Sequence, residues 1–232
     1  MKLLALDTSS EGCSAALLVD GDVFEKFEIA PRGHTRLLMP MIRALLAEQG
    51  LKPMHLDALA FACGPGSFTG VRIATGVVQG LAWGLDLSVV AVSSLETVAL
   101  GAIETLPVAE GEGIAVAFDA RMSELYWGCF CNRSGLPELL GEERVCPPSR
   151  VALESGVTRW NGAGQGWGFR NEMPGDVSAR MDRVDETLIP RASWVARLAA
   201  VKFNLGLAVP AEQAQPVYVR DEVSWKKLPG RE

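Results

Sequence analysis

The segment Gly64-Pro65-Gly66-Ser67-Phe68-Thr69-Gly70-Val71-Arg72 holds the residue types most suited to chemistry in this chain. Three glycines and a proline lie where one apolar run, Leu56 to Cys63, gives way to another, which predicts a tightly specified strand-to-helix junction. Ser67 or Thr69 can cap the helix. Backbone N–H groups gathered at such a start could cradle a phosphate. No lysine stands at the P-loop position, however, and Thr69-Gly70-Val71 departs from that motif, which favours a rigid turn that delivers the helix. Arg72 is the one cation there; it can be solvated, pair with Asp7, or meet a carboxylate across an interface.

Other chemical candidates are sparse. Asp7 and Asp119 each close an apolar strand and could act as acid and base across a cleft, but a carboxylate at a strand end more often accepts from the N–H groups of its own turn. His34 and His55 are the two histidines; neither has a second ligand at helical or hairpin spacing, which speaks against a metal centre and leaves few bases for a nucleophile. Cys13, Cys63, Cys129, Cys131 and Cys146 are odd in number and form no CxxC pair, as expected of reduced thiols. No cofactor is expected for the chain alone.

With 48% hydrophobic residues the 232-residue chain can bury a sizeable core, by preference in two domains. A formal charge of −6 argues against a stand-alone RNA binder while leaving local patches open. Asp7 interrupts the N-terminal apolar residues too early for a signal peptide, and no run approaches the ~20 apolar residues of a membrane span, so a cytoplasmic location is expected.

Periodicity supplies the elements that must hold these residues. Leu3 to Leu6, Cys13 to Val19 and Val23 to Ile29 read as strands, the last two joined by the hairpin pair Asp20-Gly21. Leu37, Leu38, Met41, Ile42, Leu45 and Leu46 recur at helical spacing from Thr35 to near Gly50, with Pro40 inside, able to kink or delay the start. Next come a strand from Leu56 to Cys63, the junction, a helix from Val71 to Gly84, a strand from Ser88 to Val92 and a helix from Ser94 to Ile103, capped by Ser94, Glu96 and Thr97. The helix after the junction offers only Arg72, Thr75 and Gln79 as polar side chains, and spaces Gly76, Gly80 and Gly84 by four. Each such glycine costs roughly 0.8 to 1 kcal/mol against alanine. Three of them indicate a packing reason: tight seating on the helix's own sheet, or close approach by a partner helix.

The opening then returns in outline. Ile114 to Phe118 is closed by Asp119 as Leu3 to Leu6 is by Asp7; Leu125 to Cys131 ends in the turn Asn132 to Gly135, and Leu139 to Val145 reads as a third strand. The order of elements suggests a duplicated domain. The rest of the second half is poor in helix: a helical piece from Pro147 to Ser155, a strand from Val157 to Asn161, a loop from Gly162 to Gly168 with four glycines and Trp167, and weak strand signals over Asn171 to Val184. A helix from Ala192 to Leu205 precedes a tail whose end, through Trp225 to Gly230, is expected to be mobile or ordered by a partner.

Two such halves resemble the two-domain α/β proteins of the actin, sugar kinase and Hsp70 (ASKHA) superfamily. The likeness implies a first actin-like domain at 1–106, completed by a helix at 191–206, a reduced, helix-poor second domain at 107–190, and a tail at 207–232. Leu6-Asp-Thr-Ser9, His34-Thr-Arg-Leu-Leu-Met-Pro40, Gly64 to Ile73 and Ser93-Ser-Leu-Glu96 narrow it: over its first ~100 residues the chain resembles the TsaB (YeaZ) family of bacterial tRNA threonylcarbamoyladenosine synthesis.

That resemblance implies a non-catalytic subunit. It would pair with the related catalytic subunit TsaD, work with the ATPase TsaE in threonylcarbamoyl transfer to the adenosine beside the anticodon, and meet tRNA only through the complex. The first two helices would bind TsaD or a second copy of the chain, with Leu37, Met41, Arg72, Ile73, Gly76, Val77 and Gly80 as contacts. Nucleotide-dependent relatives carry glycine and hydroxyl residues after the hairpin aspartate; here Glu11 stands in the first hairpin turn, and Asp119-Ala-Arg-Met-Ser-Glu124 lacks glycine. Gly162 to Gly168 resembles the adenosine loop of those relatives, or is a flexible connection. The rival is an ATP-dependent small-molecule kinase or hydrolase of the same fold.

Overall fold

The computed structural model describes residues 1–219, so the expectation for Trp225 to Gly230 lies outside the described residues. Ten strands form two five-stranded sheets. In the first, β1 (Lys2–Asp7), β2 (Gly12–Val19), β3 (Asp22–Ile29), β4 (Ala58–Gly64) and β5 (Ser88–Ser93) take the order β3-β2-β1-β4-β5. The first three are an antiparallel meander, and β4 and β5 run parallel to β1. In the second, β6 (Gly113–Asp119), β7 (Leu125–Arg133), β8 (Leu136–Cys146), β9 (Trp160–Ala163) and β10 (Met181–Asp185) repeat that order and those directions strand for strand. The duplication is thus plain in topology where residue identity has decayed, and the fold is two-domain actin-like α/β with a helix-poor second half.

Five helices clothe the sheets. α1 (His34–Glu48) and α2 (Phe68–Leu85) lie on one face of the first sheet, burying Leu38, Ile42, Leu45, Ala74 and Val78 against Leu4, Leu6, Leu59 and Phe61. On the other face lie α3 (Ser94–Thr105) and α5 (Ala192–Asn204), while α4 (Gly175–Ala179) is a single turn before β10. Both α3 and α5 share one core with Leu3, Ala5, Ile114, Val116 and Phe130, so apolar packing runs unbroken from one sheet to the other. Fully burying one such aliphatic or aromatic side chain is worth about 1.5–3 kcal/mol. Gly101 of α3 is a close approach, since a Cβ there would meet the Trp194 ring at 2.5 Å.

Several elements differ from expectation. Pro40 sits on the exposed side of α1 and neither delays its start nor ends it. The cap of α3 is Ser93, one residue before the expected Ser94, and its Oγ accepts from Leu95 N and Glu96 N. Strand β8 begins at Leu136 because the turn at Ser134 (φ 54) and Gly135 (φ 80) is tight enough for pairing to start at Arg133 and Leu136. The helical piece expected from Pro147 shrinks to a 3-10 turn, Pro148–Arg150. Strand β9 starts at Trp160 because the Val157 carbonyl turns back to accept from the Trp160 indole at 3.2 Å. Among the described residues no helix is long and apolar enough to cross a membrane.

Candidate functional site

The junction is built on the β1–β2 turn. Ser67 caps α2, its Oγ accepting from Gly70 N at 3.3 Å. Ser67 N donates to Ser9 O at 2.7 Å, and Thr8 Oγ1 donates to Gly70 O at 2.6 Å. The glycines make this contact possible: a Cβ on Gly66 would lie 2.3 Å from Ser9 O, and one on Gly70 only 1.9 Å from Thr8 O. Gly64, at φ +109, would meet Val217 O at 2.8 Å. Ser67 and Gly70 thus give their N–H groups to protein acceptors. His34, buried at the start of α1, places Nε2 3.0 Å from Ser10 O and ties α1 to the same turn. One turn therefore positions both α1 and α2.

The two strand-end aspartates serve their own turns. Asp119 Oδ1 accepts from Arg121 N at 2.8 Å, and its Oδ2 lies 3.4 Å from Arg121 Nη1. Asp7 is fully buried; its Oδ1 accepts from Ser9 N at 3.1 Å and Ser9 Oγ at 2.6 Å, while its Oδ2 has no partner. Burial pushes the Asp7 pKa up to about 6. A carboxyl whose pKa rises on folding favours the folded state below its unfolded pKa and loses that contribution as pH climbs through the folded value. For Asp7 that loss is about 3 kcal/mol between about pH 4 and pH 7. Chemical denaturation across that range should show Asp7→Asn gaining stability relative to wild type as pH rises; parallel curves would contradict the assignment.

A cleft of about 890 Å³ separates the halves, lined by the β1–β2 turn, the junction, the β6–β7 turn and Gln165. A nucleotide, which the superfamily implies here, would meet mixed chemistry, with Arg32, Arg72 and Arg121 beside the Glu11 and Asp119 carboxylates. The N–H groups of Ser67 and Gly70 are committed, and Glu11 lines the cleft with a carboxylate. The glycine loop is filled from within: Trp167 is fully buried and donates Nε1–H to Ala115 O at 2.9 Å. A Cβ on Gly162 would lie 2.6 Å from Trp167, and those on Gly164 and Gly166 would lie 2.5 and 2.7 Å from the Ala117 backbone. Rather than a flexible connection, the segment forms a 3-10 helix, Gln165–Glu172, packed on β6.

On α2, Val71, Ala74, Thr75, Val78 and Ala82 point inward, while Arg72, Gly76, Gly80, Trp83 and Gly84 point out. A Cβ added to Gly76, Gly80 or Gly84 meets no atom within 4 Å, so these glycines do not seat the helix on its own sheet. Ile73, Val77 and, from α1, Leu37 flank them half-buried. Met41 differs from its expected place at the surface: it is 8% exposed and packs with Leu38, Ile42 and Leu45 in the core. Trp83, 75% exposed, is the large apolar side chain that helical spacing alone did not single out. Arg72 pairs with neither Asp7 nor any other carboxylate among the described residues; it donates to Phe68 O at 3.1 Å.

Residues after α5 strap the opposite flank of α2. Gln79 donates to Ala214 O at 2.7 Å, and Val217 N donates to Cys63 O at 2.8 Å. In the sequence only the apolar character of Pro216-Val-Tyr-Val219 hints at this strap. The halves are also joined where Ser93 Oγ donates to Glu143 on β8; burial pushes Glu143 up to about 7, with the Glu96–Lys202 pair (2.6 Å) beside it. Among the described residues no three His, Cys, Asp or Glu side chains gather as a metal site.

Comparison with known proteins places this architecture. Residues 27–154 match the family model of TsaD, tRNA N6-adenosine threonylcarbamoyltransferase. The tRNA threonylcarbamoyladenosine biosynthesis protein TsaB of Escherichia coli K12 is 39% identical, over all of both chains. Its Haemophilus influenzae counterpart is 38% identical, over all of this chain and 99% of that one. The structure of YeaZ from Pseudomonas aeruginosa superposes with a TM-score of 0.88 at 47% identity, covering 94% of this chain and 99% of that chain. With its duplicated actin-like sheets and full-length likeness to these proteins, the chain belongs to the TsaB (YeaZ) family of tRNA threonylcarbamoyladenosine biosynthesis.

Proposed function

We propose that this chain is a non-catalytic, activating subunit of the assembly that transfers a threonylcarbamoyl group to the adenosine beside the anticodon of tRNA. It docks through α1 and α2 onto a TsaD-like catalytic subunit in the cytoplasm, and engages a TsaE-like ATPase and the tRNA through that complex. The observation that carries this is the outward glycine row of α2, which has open space above each glycine. Helix pairs pack at about 8–10 Å depending on the side chains between them, and glycine permits the close end of that range. Both helices fall within the span that matches the TsaD model, so a TsaD-like partner has corresponding helices to offer. A like face can also meet a second copy of the chain about a two-fold axis. Trp83 at one end supplies the aromatic anchor typical of binding hot spots.

Titration calorimetry of the isolated chain with Mg-ATP should give no stoichiometric binding. Tight binding would favour a kinase or hydrolase of the same fold instead.

A further inference from the structure

At the mouth of the cleft the Arg72 guanidinium carbon lies 3.3 Å from the centroid of Phe68 and 4.9 Å from that of Tyr218. The two rings are 6.3 Å apart, tilted by 39°, and 68% and 49% of these residues' surface is exposed. Arg32 and Arg121 line the same cleft. Arg121 is paired with Asp119, whereas Arg32 and Arg72 have no carboxylate within ion-pair distance among the described residues. The backbone here is costly. Arg32 (φ 64), Arg121 (φ 64) and Met122 (φ 56) are left-handed, and Ser123 (φ 58) continues the run. A non-glycine residue held there costs on the order of 1–3 kcal/mol, and such residues cluster at ligand clamps.

We propose that this cleft mouth binds single-stranded RNA, one base stacking on the exposed ring surface of Phe68 and Tyr218 that Arg72 leaves uncovered, while Arg32, Arg72 and Arg121 meet the phosphodiester backbone. The assignment rests on the role in tRNA modification proposed above. A polyphosphate would call for a backbone N–H cradle, and the Ser67 and Gly70 N–H groups of the junction are already given to protein acceptors. An acidic peptide would use the arginines but not the ring surface that Arg72 leaves exposed. A base needs a flat face and a phosphodiester needs only nearby guanidinium groups, both of which this cleft offers. The net charge of −6 keeps the grip local and salt-sensitive, so the cleft supplements an assembled complex.

Fluorescence anisotropy of a labelled RNA hairpin with an anticodon-type loop, titrated with the chain bound to its TsaD-like subunit, tests this. The pair Arg32→Ala and Tyr218→Ala should weaken binding about ten-fold and flatten its salt dependence. Glu11→Lys should tighten it. Both variants should still co-elute with the catalytic subunit, a readout that reports on the docking proposal separately. Unchanged affinity in both variants overturns the RNA assignment, as does displacement of the RNA by ATP, which would make the cleft a mononucleotide pocket. Loss of co-elution with no effect of Glu11→Lys on RNA would make it a protein contact and overturn it equally.

Discussion

Gly70→Ala should lower the melting temperature of the chain sharply. The new Cβ would sit 1.9 Å from Thr8 O and 3.1 Å from Thr8 C, so it strikes backbone with no rotamer to escape into. Relief requires α2 to pull away from the β1–β2 turn, which breaks the Thr8–Gly70 hydrogen bond and strains the cap at Ser67. It also disturbs Ser10, to which His34 ties α1. Overpacking of this kind joined to a lost buried hydrogen bond falls in the exceptional class of single substitutions, above about 4 kcal/mol. Total domain stability is about 5–15 kcal/mol. Thermal unfolding followed by circular dichroism checks this, and a Gly70→Ala chain melting with the wild type would contradict the junction as described.

Gly80→Glu should act in the opposite way: the isolated chain as stable as wild type or more so, but no longer able to bind the proposed TsaD-like partner. Position 80 is exposed, has open space above it and lies in the interior of α2, where glycine is about 0.8–1 kcal/mol worse than alanine. Gly76→Ala with Gly80→Ala should therefore raise monomer stability by about 1–2 kcal/mol. Glutamate keeps most of that gain while placing an unpaired carboxylate where a partner helix would lie, an arrangement costing several kcal/mol once desolvated. Val77→Glu is a less clean probe, because Val77 is half-buried against the core of its own sheet. Size-exclusion co-elution and a melting curve on the same preparation separate the two effects. A Gly80→Glu chain that still co-elutes would show that the glycine row serves another purpose.

Much of this was legible in residue order because the signals were local. Asp20-Gly21 makes the hairpin through positive φ at both positions (50 and 106), and the strand-Asp-hairpin pattern at Asp7 and Asp119 marks the two sheets that share one topology. What spacing could not reveal depends on three dimensions. A helix apolar on every side does not declare which face is left uncovered, so Gly76, Gly80 and Gly84 read equally well as inward or outward. Met41 shares the helical spacing of Leu38, Ile42 and Leu45, and the core takes all four. Trp167 donating to Ala115 O, and Tyr218 reaching Arg72 from far along the chain, are contacts no local window contains.

Docking of a TsaD-like catalytic subunit on α1 and α2 stands at the centre of the proposed function. Hydrogen–deuterium exchange of this chain, free and saturated with a TsaD-like subunit, measures it directly. Residues 34–48 and 68–85 should exchange more slowly in the complex, with the solvent-facing turns around Gly76 and Gly80 changing most. Slowing confined to the second sheet, with both helices unchanged, would contradict the account.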